Sequence, residues 1–151
     1  MKDIFNEKEA LLGLATVITW ADGENQRSEI DVLVQLMVEE KITDSDFESF
    51  KRKYDEIDDF ETVFLMSISV IQNKSLDDRS RALAWMWQVA NVADENSEGR
   101  LNYIEDVWKN DTKNVDLDEL RWINRAKRLL NVDLEDFKSA FNRLPETQRI
   151  L

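Results

Sequence analysis

Apolar residues recur at three- and four-residue intervals along most of this chain, which is the period of α-helices that each bury one face. Only three glycines and one proline interrupt the 151 residues, and no stretch alternates between apolar and polar positions for long enough to form a strand. We therefore predict a single all-α domain, a bundle of about seven to eight helices. It spans residues 1–143 and is followed by a C-terminal tail at 144–151.

Residues that cap helix N-termini precede most of these apolar segments. A side-chain oxygen at this position accepts a hydrogen bond from a backbone N–H that the first helical turn leaves unpaired. The first helix carries apolar residues from Leu11 to Ile18 and ends near Asp22 and Gly23. The caps predicted for the later helices are Ser28, Thr43, Asp58 or Asp59, Ser75, Asp116 and Asp133.

For the fifth and second helices, the sequence also predicts which side chains are exposed and which are buried. In the fifth helix, Trp85 and Trp87 lie about 200° apart at 3.6 residues per turn, so they cannot share one face. We expect most of the five tryptophans to lie in the core or at its rim, and one of this pair to be exposed at a partner surface. In the second helix, the residues expected to face the core are Ile30, Leu33, Val34 and Met37.

The two halves of the chain share a pattern. Residues 42–49, ITDSDFES, match residues 132–139, VDLEDFKS, at a shift of 90, and Glu29 matches Glu119 at the same shift. Residues 17–22, VITWAD, match residues 89–94, VANVAD, at a shift of 72. We interpret these matches as a duplication with pseudo-repeats at about 8–56 and 80–142. The second copy carries 18 extra residues between its first and second helices.

This pattern resembles the TerB family of helical domains associated with tellurite resistance. The recurring element of that family is a helix that ends in Ala-Asp-Gly, a short polar turn, and a helix with an early glutamate. Ala21-Asp22-Gly23-Glu24 with Glu29 matches this element in the first copy. The second copy departs from it, because Glu95 follows Ala93-Asp94 and Glu119 comes only after the extra residues.

The resemblance covers about residues 8–141 and implies a non-enzymatic, all-helical module with two related halves. It further implies that acidic turns meet on one surface to bind metal ions, with Asp22, Glu24 and Glu29 as residues of such a site. Members of the family are linked to tellurite resistance and to wider stress and phage-defence responses, often beside membrane and calcium-binding partners. From the resemblance we expect a stress-response role and a protein partner.

The extra segment contains a twelve-residue pattern typical of an EF-hand calcium loop. Oxygen donors fall at the ligand positions of such a loop, and Gly99 falls at position six, where the backbone must reverse sharply. Glu105, at position twelve, can close the shell with a bidentate carboxylate. The predicted ligands are Asp94, Asn96, Glu98, the Arg100 carbonyl, Asn102 and Glu105. The alternative interpretation is a solvated turn between helices that Asp94 caps.

Composition restricts the chemistry that is available. The chain has neither histidine nor cysteine, which excludes imidazole and thiol catalysis, disulfides and ordinary zinc sites. The remaining oxygen ligands suit hard cations, and we expect calcium in preference to magnesium. We expect no enzymatic activity, because no feature selects a catalytic carboxylate pair and no glycine-rich phosphate loop is present.

The net charge and the hydropathy of the chain indicate which partners it should avoid and where it should be located. A formal net charge of −12 opposes binding to nucleic acid and to anionic membranes. The longest uncharged stretch, from Ala10 to Ala21, is shorter than the roughly 20 residues that cross a bilayer. The N-terminus alternates charges where a signal peptide would need an apolar run. We therefore expect a cytoplasmic protein that does not insert directly into a membrane.

A basic stripe stands out in this acidic chain. Arg121, Arg125 and Arg128 fall at i, i+4 and i+7. We interpret them as neutralising nearby carboxylates and the C-terminal end of their helix, and a phosphate-bearing or acidic partner is the alternative.

Two functional hypotheses follow from the sequence. The first is a TerB-like module that binds a divalent cation and then presents a surface to a protein partner. The second is a metal-independent helical adaptor whose acidic face meets a basic partner.

Overall fold

The computed structural model describes residues 5–19, 27–57, 59–93 and 118–144. Within these residues the chain forms seven α-helices and no strand, which confirms the all-α class. The helices are α1 (Glu7–Thr19), α2 (Arg27–Glu39), α3 (Asp44–Ile57), α4 (Phe60–Ile71), α5 (Leu76–Ala93), α6 (Asp118–Leu130) and α7 (Leu134–Asn142).

Four of the predicted caps lie where described helices begin. In each case a side-chain oxygen accepts a hydrogen bond from the backbone amide three residues ahead, at 2.9–3.2 Å. Ser28 is not a cap as predicted, because it lies inside α2, which already includes Arg27. Asp116 lies outside the described residues. The confirmed caps are Thr43, Asp59, Ser75 and Asp133.

Two helices, α1 and α5, are buried on nearly every side. Every residue from Glu9 to Thr19 except Thr16 is buried, and so are all eight residues from Ala82 to Val89. The two helices pack on each other, and each of the other five packs on at least one of them. A helix that is apolar on every face must be covered on every face. The five outer helices provide that cover.

The α1 helix packs most extensively on α4, where Gly13 allows a close approach. A Cβ atom at Gly13 would lie 2.2 Å from Ser67 Oγ and 3.4 Å from Val63 Cγ1. The absence of a side chain at this position therefore brings α4 close to the central helix.

The burial of α5 corrects the expectation for its tryptophans. Trp85 and Trp87 are both buried, at 1% and 0% exposed, because other helices cover both sides of α5. Trp85 Nε1 donates a hydrogen bond of 2.8 Å to Glu40, and the Trp87 ring packs edge-on against Phe137. Neither tryptophan marks a partner surface.

The rotation of α2 also differs from the prediction. Val34, expected to face the core, is 54% exposed, whereas Leu36 is fully buried. Glu40 lies one turn beyond Leu36, and its carboxylate accepts hydrogen bonds from two side chains of α5. These bonds turn the Leu36 side of α2 toward the core. The apolar residues of α2 span too wide an arc for spacing alone to identify that side.

The turns that follow α2 and α6 have the same conformation at positions related by the shift of 90. Lys41 and Asn131 both adopt left-handed backbone angles, with φ of 58° and 55°. The amide of Ile42 donates to the Met37 carbonyl at 2.8 Å, and at the matching positions Val132 donates to Lys127 at 3.4 Å. Both turns thus satisfy a helix-terminal carbonyl in the manner of a Schellman motif.

A basic side chain from a central helix contacts each of these turns. Lys8 Nζ of α1 donates to the Lys41 carbonyl at 2.8 Å. Arg79 Nη1 of α5 donates to the carbonyls of Leu130 and Asn131, at 2.6 and 3.4 Å. The two turns are therefore held to the central pair in a similar way.

Leu144, the first residue of the predicted tail, is buried against the core. It follows α7, and its amide donates to the Phe141 carbonyl at 3.1 Å. Residues 145–151 lie outside the described part of the chain.

Substituting the left-handed lysine tests the turn after α2. We predict that Lys41→Gly raises the free energy of unfolding by about 1 kcal/mol, because a side chain in this backbone region is strained and glycine is not. Lys51→Gly, in the exposed interior of α3, is the matched control and should lower it by about 1 kcal/mol. Urea unfolding measures both changes. Equal destabilisation by the two substitutions would contradict the left-handed turn.

Candidate functional site

Most of the predicted cation ligands fall outside the described residues. These are Asp22, Glu24, Asp94, Asn96, Glu98, Arg100, Asn102 and Glu105. Glu29 lies in the first turn of α2. Within the part of the chain that is described, no group of three or more acidic side chains could hold a metal ion.

The helix that leads to the predicted loop is anchored in the core. The α5 helix has 18 residues and ends at Ala93, directly before Asp94. Its buried stretch continues to Val89, about one helical turn from that end. A site attached to a packed helix is held more accurately than one on an unsupported loop. The first predicted ligand therefore follows an element that the fold holds in place.

A buried carboxylate joins α1 to α3. Glu9 is 1% exposed, and its two oxygens accept hydrogen bonds from Ser49 Oγ at 2.5 Å, Lys53 Nζ at 2.9 Å and the Asn6 amide at 2.8 Å. Asn6 Oδ1 in turn accepts from the Glu9 amide at 2.8 Å, which makes a reciprocal capping box. The charge of Glu9 is thus compensated within the fold.

The surroundings of Glu9 alter its acidity. Burial alone would raise the pKa of this carboxyl, because it disfavours the charged form. Hydrogen bonds from Ser49, the Asn6 amide and Lys53 outweigh burial and lower the pKa of Glu9 below its usual value. The ionised form is therefore the one that fits this position.

A second acidic residue joins α2 to α5. One carboxylate oxygen of Glu40 accepts hydrogen bonds from Arg81 Nε and from Trp85 Nε1, the latter at 2.8 Å. Under the predicted duplication, Glu40 belongs to the first copy, and Arg81 and Trp85 belong to the second. This contact therefore fixes the end of α2 relative to α5.

The basic stripe of α6 is partly neutralised. Arg125 makes two hydrogen bonds to the carboxylate of Glu61 on α4, at 2.7 and 2.8 Å. Its guanidinium lies 4.8 Å from the ring centre of Phe64 and 5.2 Å from that of Trp122. The Glu61 bond raises the pKa of Arg125, and Arg125 lowers the pKa of Glu61. At Arg125 this agrees with the neutralisation interpretation.

Sequence reasoning missed the Glu9 and Glu40 contacts. The Asn6-x-x-Glu9 spacing is a capping-box signal that could have pointed to the local half of the Glu9 site. Its contacts with Ser49 and Lys53 cross 40 and 44 residues, and no local pattern reveals them. The Glu40–Arg81 contact crosses 41 residues, so no local pattern reveals it either.

Comparisons with known proteins identify no relative of this chain. No protein-family model, curated protein or solved structure matches the chain. Over the residues that the structure describes, no helix is both long enough and apolar enough to span a bilayer.

Replacing the buried carboxylate tests its role. We predict that Glu9→Gln lowers the free energy of unfolding at neutral pH by about 2–4 kcal/mol, because the amide keeps only one acceptor oxygen for the donors that Glu9 satisfies with two and no longer carries the charge that pairs with Lys53. Glu48→Gln, on the exposed side of α3, is the matched control and should change it by at most about 0.5 kcal/mol. Denaturant unfolding measures both.

The same variant has a defined pH dependence. Because the pKa of Glu9 is lowered in the folded state, its stabilising contribution is present above the pKa of the unfolded chain. That contribution is lost as pH falls through the folded-state pKa. The stability difference between the parent and Glu9→Gln should therefore shrink on acidification. A difference that stays constant from neutral to acidic pH would contradict this account.

Proposed function

We propose that this protein is a non-enzymatic, TerB-like helical module that binds a divalent cation, calcium in preference to magnesium, and presents a surface to a protein partner. In this proposal the ion is held by Asp94, Asn96, Glu98, the Arg100 carbonyl, Asn102 and Glu105. The setting is a stress response of the tellurite-resistance type, and the cytoplasm is the proposed location.

The observation that carries the cation proposal is the spacing of oxygen donors around Gly99. Calcium takes six to eight oxygen ligands, and alternate residues of a tight loop can converge on one ion only if the backbone reverses between them. The chain has three glycines in 151 residues, and one occupies the reversal position. Acidic composition alone does not account for that coincidence.

The described fold supports the proposal through the position of α5. An EF-hand loop is preceded by a helix, and α5 runs to the residue before Asp94. Because α5 is buried in the core up to Val89, ion binding would act mainly on the last turn of α5 and on the segment that follows it. Relief of repulsion among the loop carboxylates would favour the bound arrangement.

The metal-independent adaptor is the second candidate function. The observation that favours it is the exposure of Val34 and Val38 on α2, at 54% and 69%. Exposed apolar side chains beside acidic ones are available to a basic partner without any ion. In this alternative the loop after α5 is a solvated turn.

A calcium titration tests the cation proposal. We predict that calcium at about a hundredfold excess over its Kd stabilises the protein by about 2.7 kcal/mol, because it binds the folded state alone. This corresponds to a rise in Tm of about 5–10 °C for a chain of this size. Tryptophan fluorescence should change over the same concentration range. Magnesium at equal concentration should have a smaller effect.

Variants locate the site and provide the control. Glu105→Gln should abolish most of the calcium response, whereas Glu48→Gln on α3 should respond like the parent. If millimolar calcium changes neither Tm nor fluorescence, and Glu105→Gln behaves like the parent, the cation proposal is wrong. A calcium response that survives Glu105→Gln but disappears in Asp22→Asn would instead identify the turn that the TerB resemblance implies.

A further inference from the structure

The two most exposed large apolar side chains among the described residues lie one turn apart on α2. Val38 is 69% exposed and Val34 is 54% exposed. Leu33 and Met37, next to them on the helix, are partly buried against the core. These four side chains form an apolar strip from the core to the surface, which we call the α2 strip.

The matching helix of the second half shows whether the fold requires an apolar side chain at these positions. The shift of 90 that relates the turns after α2 and α6 pairs Val34 with Asn124 and Val38 with Arg128. Asn124 is buried, whereas Arg128 is exposed to solvent. Because Val34 is exposed and Asn124 is not, the comparison applies to Val38 alone, whose counterpart on α6 is an exposed arginine. Packing within the bundle therefore does not explain why Val38 is apolar.

We propose that the α2 strip docks a basic amphipathic helix from a partner protein. This inference rests on the partner-binding part of the proposed function and names the class of partner. Apolar residues one turn apart on the incoming helix would cover Val34 and Val38. Lysine or arginine at its margin would face the exposed Glu39, which follows Val38 directly.

Charge and area favour this occupant over a second copy of the chain. Each copy carries a formal net charge of −12, so two copies repel each other. A stable interface between two proteins buries roughly 800 Å² on each partner, far more than two valine side chains supply. A basic helix from a partner is instead attracted by the negative charge of the protein.

Binding of a model helix tests the proposal. The probe is a peptide of about 18 residues, or five turns, with leucine and lysine in amphipathic helical order. A peptide of the same composition without helical periodicity is its control. Amide shifts of isotope-labelled protein should change mainly between Leu33 and Glu39, and the control peptide should bind at least about tenfold more weakly. The titration is run in calcium and in chelator, and localised binding in either condition supports the proposal.

A pair of double variants separates apolar docking from charge attraction. Val34→Lys with Val38→Lys should weaken binding by about tenfold or more. The matched control is Leu65→Lys with Leu76→Lys, which makes the same charge change at side chains that are 44% and 41% exposed on other helices. It should stay within about twofold of the parent. Both pairs are at exposed positions, and circular dichroism and Tm check that each variant folds.

Three results would overturn the inference: shift changes located away from α2, equal losses of affinity in the two double variants, or self-association of the parent that the Val34→Lys and Val38→Lys pair abolishes. The calcium titration tests the ion site separately. If calcium has no effect but the peptide still binds at α2, the ion is removed from the proposed function and the inference about the α2 strip stands.

Discussion

The structure depends on one constraint, which is that α1 from Ala10 onward and α5 from Ala82 to Val89 are apolar on almost every face. Such helices cannot lie at a surface, so they pack on each other and the remaining five helices cover them. Interior packing is dense and leaves little freedom for a helix that is enclosed in this way. This packing matters for function because of the segments that follow the two central helices. Each central helix is followed in the sequence by an acidic segment, which begins at Asp22 after α1 and at Asp94 after α5. The residues proposed to bind an ion thus follow, in the sequence, the two most deeply buried helices that the structure describes.

A buried carboxylate, Glu9, and a half-buried one, Glu40, join two of the outer helices to this pair. Burying a carboxylate is unfavourable unless it is paired and hydrogen-bonded, so a helix that carries one is restricted to arrangements that supply donors. Glu9 obtains its donors from α3 and from the chain just before α1, and Glu40 obtains its donors from α5. The second contact also explains an exposed feature. By turning one side of α2 toward α5, it leaves Val34 and Val38 in solvent, where they are available to a partner.

The local features of this chain could be predicted from its sequence, whereas features that depend on tertiary contacts could not. Caps such as Thr43 and Ser75 are determined within four residues, and the all-α class follows from helical periodicity and the scarcity of helix breakers. The burial of both Trp85 and Trp87 was missed because periodicity identifies the faces of a helix but not how many neighbours cover them. The predicted core face of α2 was wrong because the rotation of this helix depends on a contact between Glu40 and Arg81, which lie 41 residues apart. For the proposed ion site, the spacing of the predicted ligands can be read from the sequence, but the affinity for an ion depends on how the ligands converge in space.

Native-state hydrogen exchange is the most direct test of the claim that α1 and α5 are the fixed centre of the fold and that α5 leads to the proposed ion loop. The account predicts that the slowest-exchanging amides lie in α1 and α5, between Glu9 and Thr19 and between Ala82 and Val89. It further predicts that calcium slows exchange in the last turn of α5, up to Ala93, more than in any outer helix. Exchange in α1 and α5 as fast as in α2 or α4, or a calcium effect absent from the end of α5, would contradict it.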